Sequence, residues 1–66
     1  MDSVINPEPN VYEAVMIAEG VQPASKEEQI AAWQMLVNNG VAFTLQGWFG
    51  RTARALIERG VILPPQ

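Results

Sequence analysis

The most regular hydrophobic pattern in the chain lies between Ser25 and Gly40. Apolar side chains recur there at helical spacing, at Ile30, Trp33, Leu36 and Val37. The run is preceded by Ser25-Lys26-Glu27-Glu28, a capping-box sequence in which the first and last side chains bond free amides of the first turn. It is followed by Asn38-Asn39-Gly40, which is typical of a helix end with glycine in the left-handed conformation. The pattern predicts a helix over residues 26–38.

A shorter stripe precedes this helix. Asn10 is a favourable N-cap, and Gly20 marks a helix end. The apolar positions between them are Val11, Ala14, Val15 and Ala18. They predict a helix over residues 11–19. Residues 1–9 contain two prolines and no periodicity, so we interpret them as a flexible or extended arm before a single helical domain at residues 10–63.

A third helix is predicted over residues 50–59, closed by Gly60. Its apolar stripe consists of Phe49, Ala53, Leu56 and Ile57. Residues 41–46 fit either a strand alternation or a helical turn, and we favour a short helical turn at 42–46. The apolar residues 61–63 are expected to lie across the helices or to fill a groove of a partner. The fold prediction is all-α: a small three-helix domain with an extra short helical turn and extended termini.

The composition argues against an enzyme. The 66 residues include no cysteine and no histidine, so the sequence offers no thiol nucleophile, no imidazole base, no disulfide and no usual zinc site. Glu27 and Glu28 are adjacent on a helix and point about 100° apart, which does not suit a catalytic pair. Ser25 is already accounted for as a helix cap. We therefore predict a protein that is not an enzyme, with no catalytic residues, no cofactor and no metal.

The sequence also shows no membrane or export signal. No apolar run approaches the roughly 20 residues that a membrane-spanning helix needs. The first residues lack the basic and apolar regions of a signal peptide. We expect a cytoplasmic protein with no membrane partner.

Charge is distributed unevenly. The net charge is −3, with six acids and one lysine in residues 1–39, and three arginines against one glutamate in residues 40–66. Arg51 falls at the predicted start of the third helix, where a cation opposes the helix dipole. It either pairs with an acid of the first two helices or, with Arg54, faces an anion. The acidic total argues against general nucleic-acid binding, but a local patch of Arg51, Arg54 and Arg59 leaves nucleic acid or nucleotide as an alternative ligand.

The segment Gly47-Trp48-Phe49-Gly50 is interpreted as a tight turn whose aromatic residues help to fill the core. A Gly-x-x-Gly loop also occurs in KH domains, where it clamps nucleic acid, but those domains need a sheet that this chain does not predict. Trp48 beside Arg51 combines two residue types that dominate protein interfaces. We predict an interaction surface formed by Gln46, Trp48, Arg51 and Arg54.

The second half of the chain resembles a group of very small bacteriophage proteins. The matching segments are Trp33-Gln34-Met35-Leu36-Val37-Asn38-Asn39-Gly40, Ala42-Phe43-Thr44-Leu45-Gln46-Gly47, Phe49-Gly50-Arg51-Thr52-Ala53 and Leu56-Ile57-Glu58-Arg59-Gly60-Val61-Ile62. The resemblance covers roughly residues 19–62. Trp48 departs from it, since a small or polar residue is expected there. The resemblance implies a phage accessory protein acting in the infected cell, and it implies no particular mechanism.

Together these features predict a non-enzymatic module that binds a host or phage protein. Binding of nucleic acid or nucleotide through the arginine patch is the alternative. A homo-oligomer, most simply a two-fold dimer, is also expected, because several apolar residues do not fit the three stripes. These residues are Val4, Ile5, Met16, Ile17, Met35, Trp48, Ile62 and Leu63.

Overall fold

The computed structural model describes residues 10–66, which form three α-helices and one 3₁₀ turn. The elements are α1 (Val11–Ala18), α2 (Lys26–Asn38), the 3₁₀ turn (Val41–Phe43) and α3 (Gly47–Glu58). Within this described part there is no β-strand, so the predicted all-α fold is confirmed. The predicted arm at residues 1–9 lies outside the described residues.

Helix α2 has the bounds that its sequence predicts. The Ser25 hydroxyl accepts a hydrogen bond from the Glu28 amide at 3.1 Å, and the Glu28 carboxylate accepts one from the Ser25 amide at 2.8 Å. Both halves of the capping box are therefore formed. At the other end, Gly40 has a φ of +80°, the left-handed conformation expected for the residue after the cap.

Helix α1 begins as predicted but faces α2 differently. The Asn10 side chain caps the helix by accepting a hydrogen bond from the Glu13 amide at 2.7 Å. The buried residues are Ala14 and Ile17, whereas Val11 remains 42% exposed. Of the predicted stripe, Ala14 is buried and Val15 and Ala18 pack against the core, so the prediction is wrong only in including Val11 and omitting Ile17. An eight-residue helix presents little more than two turns to its neighbour, so its burial is centred on one pair of positions.

Helix α3 begins three residues earlier than predicted, at Gly47. The predicted loop at residues 47–50 is instead the first turn of this helix. The physical reason is tertiary: Trp48 and Phe49 both pack against Trp33 of α2, and this packing offsets the low helix propensity of the two glycines. The preceding turn is also shifted, since the 3₁₀ turn occupies Val41–Phe43 rather than 42–46. The strand alternative for this segment is wrong.

The last six residues form an ordered segment that we name the C-terminal strap (residues 61–66). Helix α3 ends in a Schellman motif, in which the Val61 amide donates to the Leu56 carbonyl at 2.9 Å. The strap then places Ile62 in the core with 3% of its surface exposed. The Gln34 side chain of α2 bonds both backbone groups of Leu63, donating at 3.0 Å and accepting at 2.7 Å. Of the two expected arrangements for residues 61–63, the one across the helices is present.

The core is small and is shared by every element. Its buried side chains are Ala14, Ile17, Ala32, Trp33, Leu36, Val37, Ala42, Phe49, Ala53 and Ile62. This corrects part of the expectation of surplus apolar residues, because Ile17 and Ile62 are buried within one copy of the chain. Met16, Met35 and Trp48 are half-buried, and Leu63 is 59% exposed. Val4 and Ile5 lie outside the described residues.

Candidate interaction surface

The four residues of the predicted interaction surface all belong to α3 or to its N-cap. Gln46 is the N-cap residue, with φ −56° and ψ 152°, and its side chain makes no capping hydrogen bond. Trp48 lies in the first turn and is half-buried. Arg51 and Arg54 follow on α3, and both are exposed. Residues three apart on a helix are neighbours, so the two guanidinium groups share one side of α3.

Trp48 belongs to a three-ring aromatic cluster. Its ring stacks on Phe49, with the centroids 4.0 Å apart and the planes inclined by 29°. It also meets Trp33 edge to face, at 6.3 Å and 72°. Trp33 and Phe49 lie 5.8 Å apart beneath it. The buried pair therefore holds Trp48 in a fixed orientation while part of its ring remains accessible.

Arg51 lies in the second turn of α3, because the helix starts earlier than its sequence predicts. The expected conflict with the helix dipole is thereby reduced, since that effect fades beyond the first turn. The Arg51 side chain folds back toward Gly47: a methyl group at Gly47 would stand 3.2 Å from Arg51 Nη1. The absence of a side chain at Gly47 thus leaves room for the guanidinium group beside the first turn.

Within residues 10–66, no hydrogen bond joins an arginine to an acidic side chain. Among residues 10–66, every side-chain hydrogen bond is made by groups other than arginine. Glu13 accepts a bond from Gln22 at 3.0 Å, and Glu28 is held in the capping box. The alternative in which Arg51 pairs with an acid of the first two helices therefore receives no support. Arg51 and Arg54 direct their charge to the outside of the molecule.

Two further apolar residues border this site, and sequence reasoning did not select them. Phe43 is 41% exposed and Leu45 is 36% exposed. A methyl group at Gly50 would lie 3.7 Å from Phe43 Cδ1, which places this ring against the first turn of α3. The sequence feature that could have identified Phe43 and Leu45 is the alternation of apolar residues at positions 41, 43 and 45. We name the whole site the α3 surface, which consists of Phe43, Leu45, Gln46, Trp48, Arg51 and Arg54.

The α3 surface carries both charged and apolar side chains. It joins two guanidinium groups, one amide side chain and three apolar side chains, none of which is a usual general base or nucleophile. Within residues 10–66, no three acidic side chains converge on a position for a metal ion. None of the helices in that part of the chain has the length and apolar character to cross a membrane.

The chain belongs to a family described as a domain of unknown function (DUF7417), whose model matches residues 12–65. The match runs from the first turn of α1 into the C-terminal strap, and so includes the complete α3 surface. Neither the curated proteins nor the solved structures contain a significant match to the chain.

Proposed function

We propose that this member of a family without an assigned activity is a small phage accessory protein that binds a host or phage protein and catalyses no reaction. The observation that carries the proposal is the composition of the α3 surface. It presents two exposed arginines beside a half-buried tryptophan and two exposed apolar residues. Tryptophan and arginine are enriched among the residues that contribute most to protein interfaces. The resemblance to small phage proteins supplies the setting, the cytoplasm of an infected cell.

The packing of Trp48 supports binding. Its ring is half-buried and stacks on Phe49 at 4.0 Å, so its orientation is set by the fold before a partner arrives. A side chain that is already ordered loses less conformational entropy on association, which favours affinity. Trp48 is therefore the best-prepared contact residue of the α3 surface.

Nucleic acid or nucleotide is the less favoured ligand. The net charge of −3 opposes a polyanion, and such binding depends on neutralising several phosphates. Arg59 is the C-cap of α3 and stands eight residues from Arg51, which is about 12 Å along the helix axis. The three arginines therefore do not form one compact patch. The apolar residues Phe43 and Leu45 also suit a protein better than a phosphate backbone.

Affinity capture from host lysate tests the proposal when it is run with matched variants. The comparison uses the wild type, the double variant Arg51→Glu/Arg54→Glu, and Arg59→Glu as a charge control outside the α3 surface. We expect the wild type and Arg59→Glu to retain the same partner and the double variant to lose it. Thermal melts establish that all three proteins are folded.

Salt and nuclease arms separate the two ligand classes. A protein contact of mixed apolar and charged character should survive nuclease treatment and weaken only moderately between about 50 and 200 mM salt, whereas phosphate binding falls steeply over that range. If nuclease treatment abolishes capture of the partner, the α3 surface binds nucleic acid, as in the alternative. Equal capture by all three proteins shows that the α3 surface is not the binding site.

A further inference from the structure

We infer that the C-terminal strap is a clasp that fixes the orientation of α3 on α2 and thereby controls how the α3 surface is presented. Gln34 and Asn38 of α2 hold the strap, which follows α3 along the chain. The inference rests on the proposed function only in taking the α3 surface as a binding site. It adds a means by which that site is regulated from the opposite end of α3.

Helix α3 is anchored to α2 mainly near its start. The backbones of α2 and α3 scarcely approach within 8 Å of each other, whereas α1 lies close along α2. Long aromatic side chains bridge the gap, since the rings of Trp48 and Phe49 lie 6.3 Å and 5.8 Å from Trp33. Further along, Leu56 and Ile57 pack against the core but are only half-buried. The last turns of α3 are therefore less fully packed than its first turn.

The strap supplies a second connection to α2. The Gln34 side chain donates to the Leu63 carbonyl at 3.0 Å and accepts from the Leu63 amide at 2.7 Å, so one side chain binds both backbone groups of one residue. Asn38 Oδ1 accepts from the Gln66 amide at 3.1 Å and from Gln34 at 3.0 Å. Because the four bonds share donors and acceptors, they form one network whose members support one another. Ile62 adds a buried side chain beside them.

The connection between the strap and α3 is short. Residues 59–61 alone separate the end of α3 from Ile62. The Schellman motif closes this interval, with the Val61 amide bonded to the Leu56 carbonyl at 2.9 Å. A strap that is held on α2 therefore also holds the last turn of α3. When the strap is released, α3 keeps its aromatic anchor and gains freedom to change its angle to α2.

The angle of α3 matters because the α3 surface is built from two segments. Trp48, Arg51 and Arg54 belong to α3, whereas Phe43 and Leu45 precede it. A change in the angle of α3 alters the spacing between these two groups, and Arg54, which is further from the aromatic anchor, moves most. The clasped state is the binding-competent one, and the affinity of the surface falls with the fraction of molecules in that state.

Hydrogen exchange on the full chain tests whether the strap is held as one unit. Gln34→Ala removes the acceptor of the Leu63 amide but keeps Asn38, the acceptor of the Gln66 amide. In a clasp, both amides should exchange roughly tenfold faster or more, since two net hydrogen bonds are lost. Asn38→Ala should likewise speed exchange at Leu63. Faster exchange confined to the amide whose own acceptor was removed overturns the clasp, as does a wild type in which neither amide is protected.

Gln29→Ala is the matched control. Gln29 is also a half-buried glutamine of α2 whose side chain donates to a backbone carbonyl, but its partner is Ile17 of α1, at 2.9 Å. Alanine is a good helix former, so both variants keep α2 intact. Gln34→Glu is a second variant of the same size: it retains an acceptor for the Leu63 amide and loses the donor to the Leu63 carbonyl. We expect it to open the strap as Gln34→Ala does, and Gln29→Ala to leave the strap protected.

Residual dipolar couplings of the α2 and α3 amides measure the orientation of the two helices. In the wild type and Gln29→Ala, both helices should fit a single alignment. In Gln34→Ala and Gln34→Glu, the couplings of α3 should be reduced relative to those of α2, because its orientation is then averaged. Couplings of α3 that stay unchanged while the Leu63 and Gln66 amides lose protection overturn the inference, since the strap then opens without affecting α3.

These measurements need no binding partner, so their outcome is separable from that of the proposed function. Where the wild type captures a partner, Gln34→Ala should retain less of it than Gln29→Ala does, although neither variant alters the α3 surface. Equal retention overturns control of the surface by the strap and leaves the proposed function standing. A wild type that captures nothing overturns the proposed function, and the couplings still decide whether the strap orients α3.

Discussion

Replacement of Ile62 by alanine tests whether the C-terminal strap is part of the folded core. Ile62 is 3% exposed, and its neighbour Leu63 is 59% exposed although its backbone is bonded to Gln34. Truncating a buried isoleucine to alanine costs about 2–5 kcal/mol, and the cost falls where the surroundings collapse into the space. The residues on either side of Ile62 are exposed and can shift toward the space, so we expect about 2–3 kcal/mol.

This loss is large for a domain of this size. At about 0.05–0.15 kcal/mol per residue, a 66-residue chain has a free energy of unfolding of roughly 3–10 kcal/mol. A loss of 1 kcal/mol lowers the melting temperature of such a domain by about 4–8 °C. Ile62→Ala should therefore melt about 10 °C or more below the wild type.

Thermal and urea unfolding followed by far-ultraviolet circular dichroism measure the effect. Leu63→Ala is the matched control, because it removes a similar side chain from the next position while keeping the backbone hydrogen bonds to Gln34. We expect it to change stability by less than about 1 kcal/mol, as exposed positions do. Equal losses in the two variants, or no loss in either, would refute the placement of Ile62 in the core.

Three further predictions concern the helices. Ser25→Ala should destabilise the protein by about 1 kcal/mol through loss of the α2 cap, measured by urea unfolding, and Ser25→Asp should recover most of that loss. Gly60→Ala should destabilise the protein by about 1 kcal/mol, because the φ of +77° at this position disfavours a side chain. Gly50→Ala should be neutral or stabilising, because its new methyl group would lie at an ordinary 3.7 Å from Phe43. Thermal melts in which Gly50→Ala is the less stable of the two variants would contradict this reasoning. Trp48→Ala should lower stability by about 2 kcal/mol and Trp48→Phe by much less, since a half-buried stacked ring contributes part of the usual tryptophan-to-alanine cost. Unchanged melting of Trp48→Ala would show that this ring does not stabilise the start of α3.

Capping residues in the sequence predict the bounds of α2 and the start of α1. The capping box at Ser25 and the glycine after Asn39 define α2 without reference to any other element, and its predicted bounds agree with the structure. Asn10 likewise identifies the start of α1. Such boundaries are predictable because the groups that satisfy the terminal amides and carbonyls lie within a few residues.

The start of α3 depends on a contact that local patterns do not contain. Two glycines within four residues favour a loop by propensity, and the helical first turn is stabilised by Trp48 and Phe49 packing on Trp33. The same limit applies to Gln34, whose partner Leu63 is 29 residues away along the chain. Neither the hydrophobic periodicity nor a capping pattern in the sequence distinguishes Gln34 from the other polar residues of α2.

The α3 surface likewise contains residues that the sequence groups together and residues that only the fold brings to it. Gln46, Trp48, Arg51 and Arg54 can be grouped from the sequence because they fall within one short segment that becomes helical. Phe43 joins them only through its contact beside Gly50, which depends on how the 3₁₀ turn meets α3. The lack of a hydrogen bond between Arg51 and the acids of α1 and α2 likewise depends on the arrangement of the three helices.

Among the described residues, the strap and the aromatic cluster close the core without the outer side of α3. With no cysteine in the sequence, the core must be closed by packing, and Ile62 completes it from the strap while Trp33 and Phe49 fill it from the helices. The outer side of α3, with Arg51 and Arg54, is consequently not needed to cover the core. Trp48 contributes both to folding and to the α3 surface, because the ring that stabilises the first turn of α3 is also partly exposed. Substitutions at Arg51 and Arg54 can therefore alter binding with little effect on folding, whereas those at Trp48 change both.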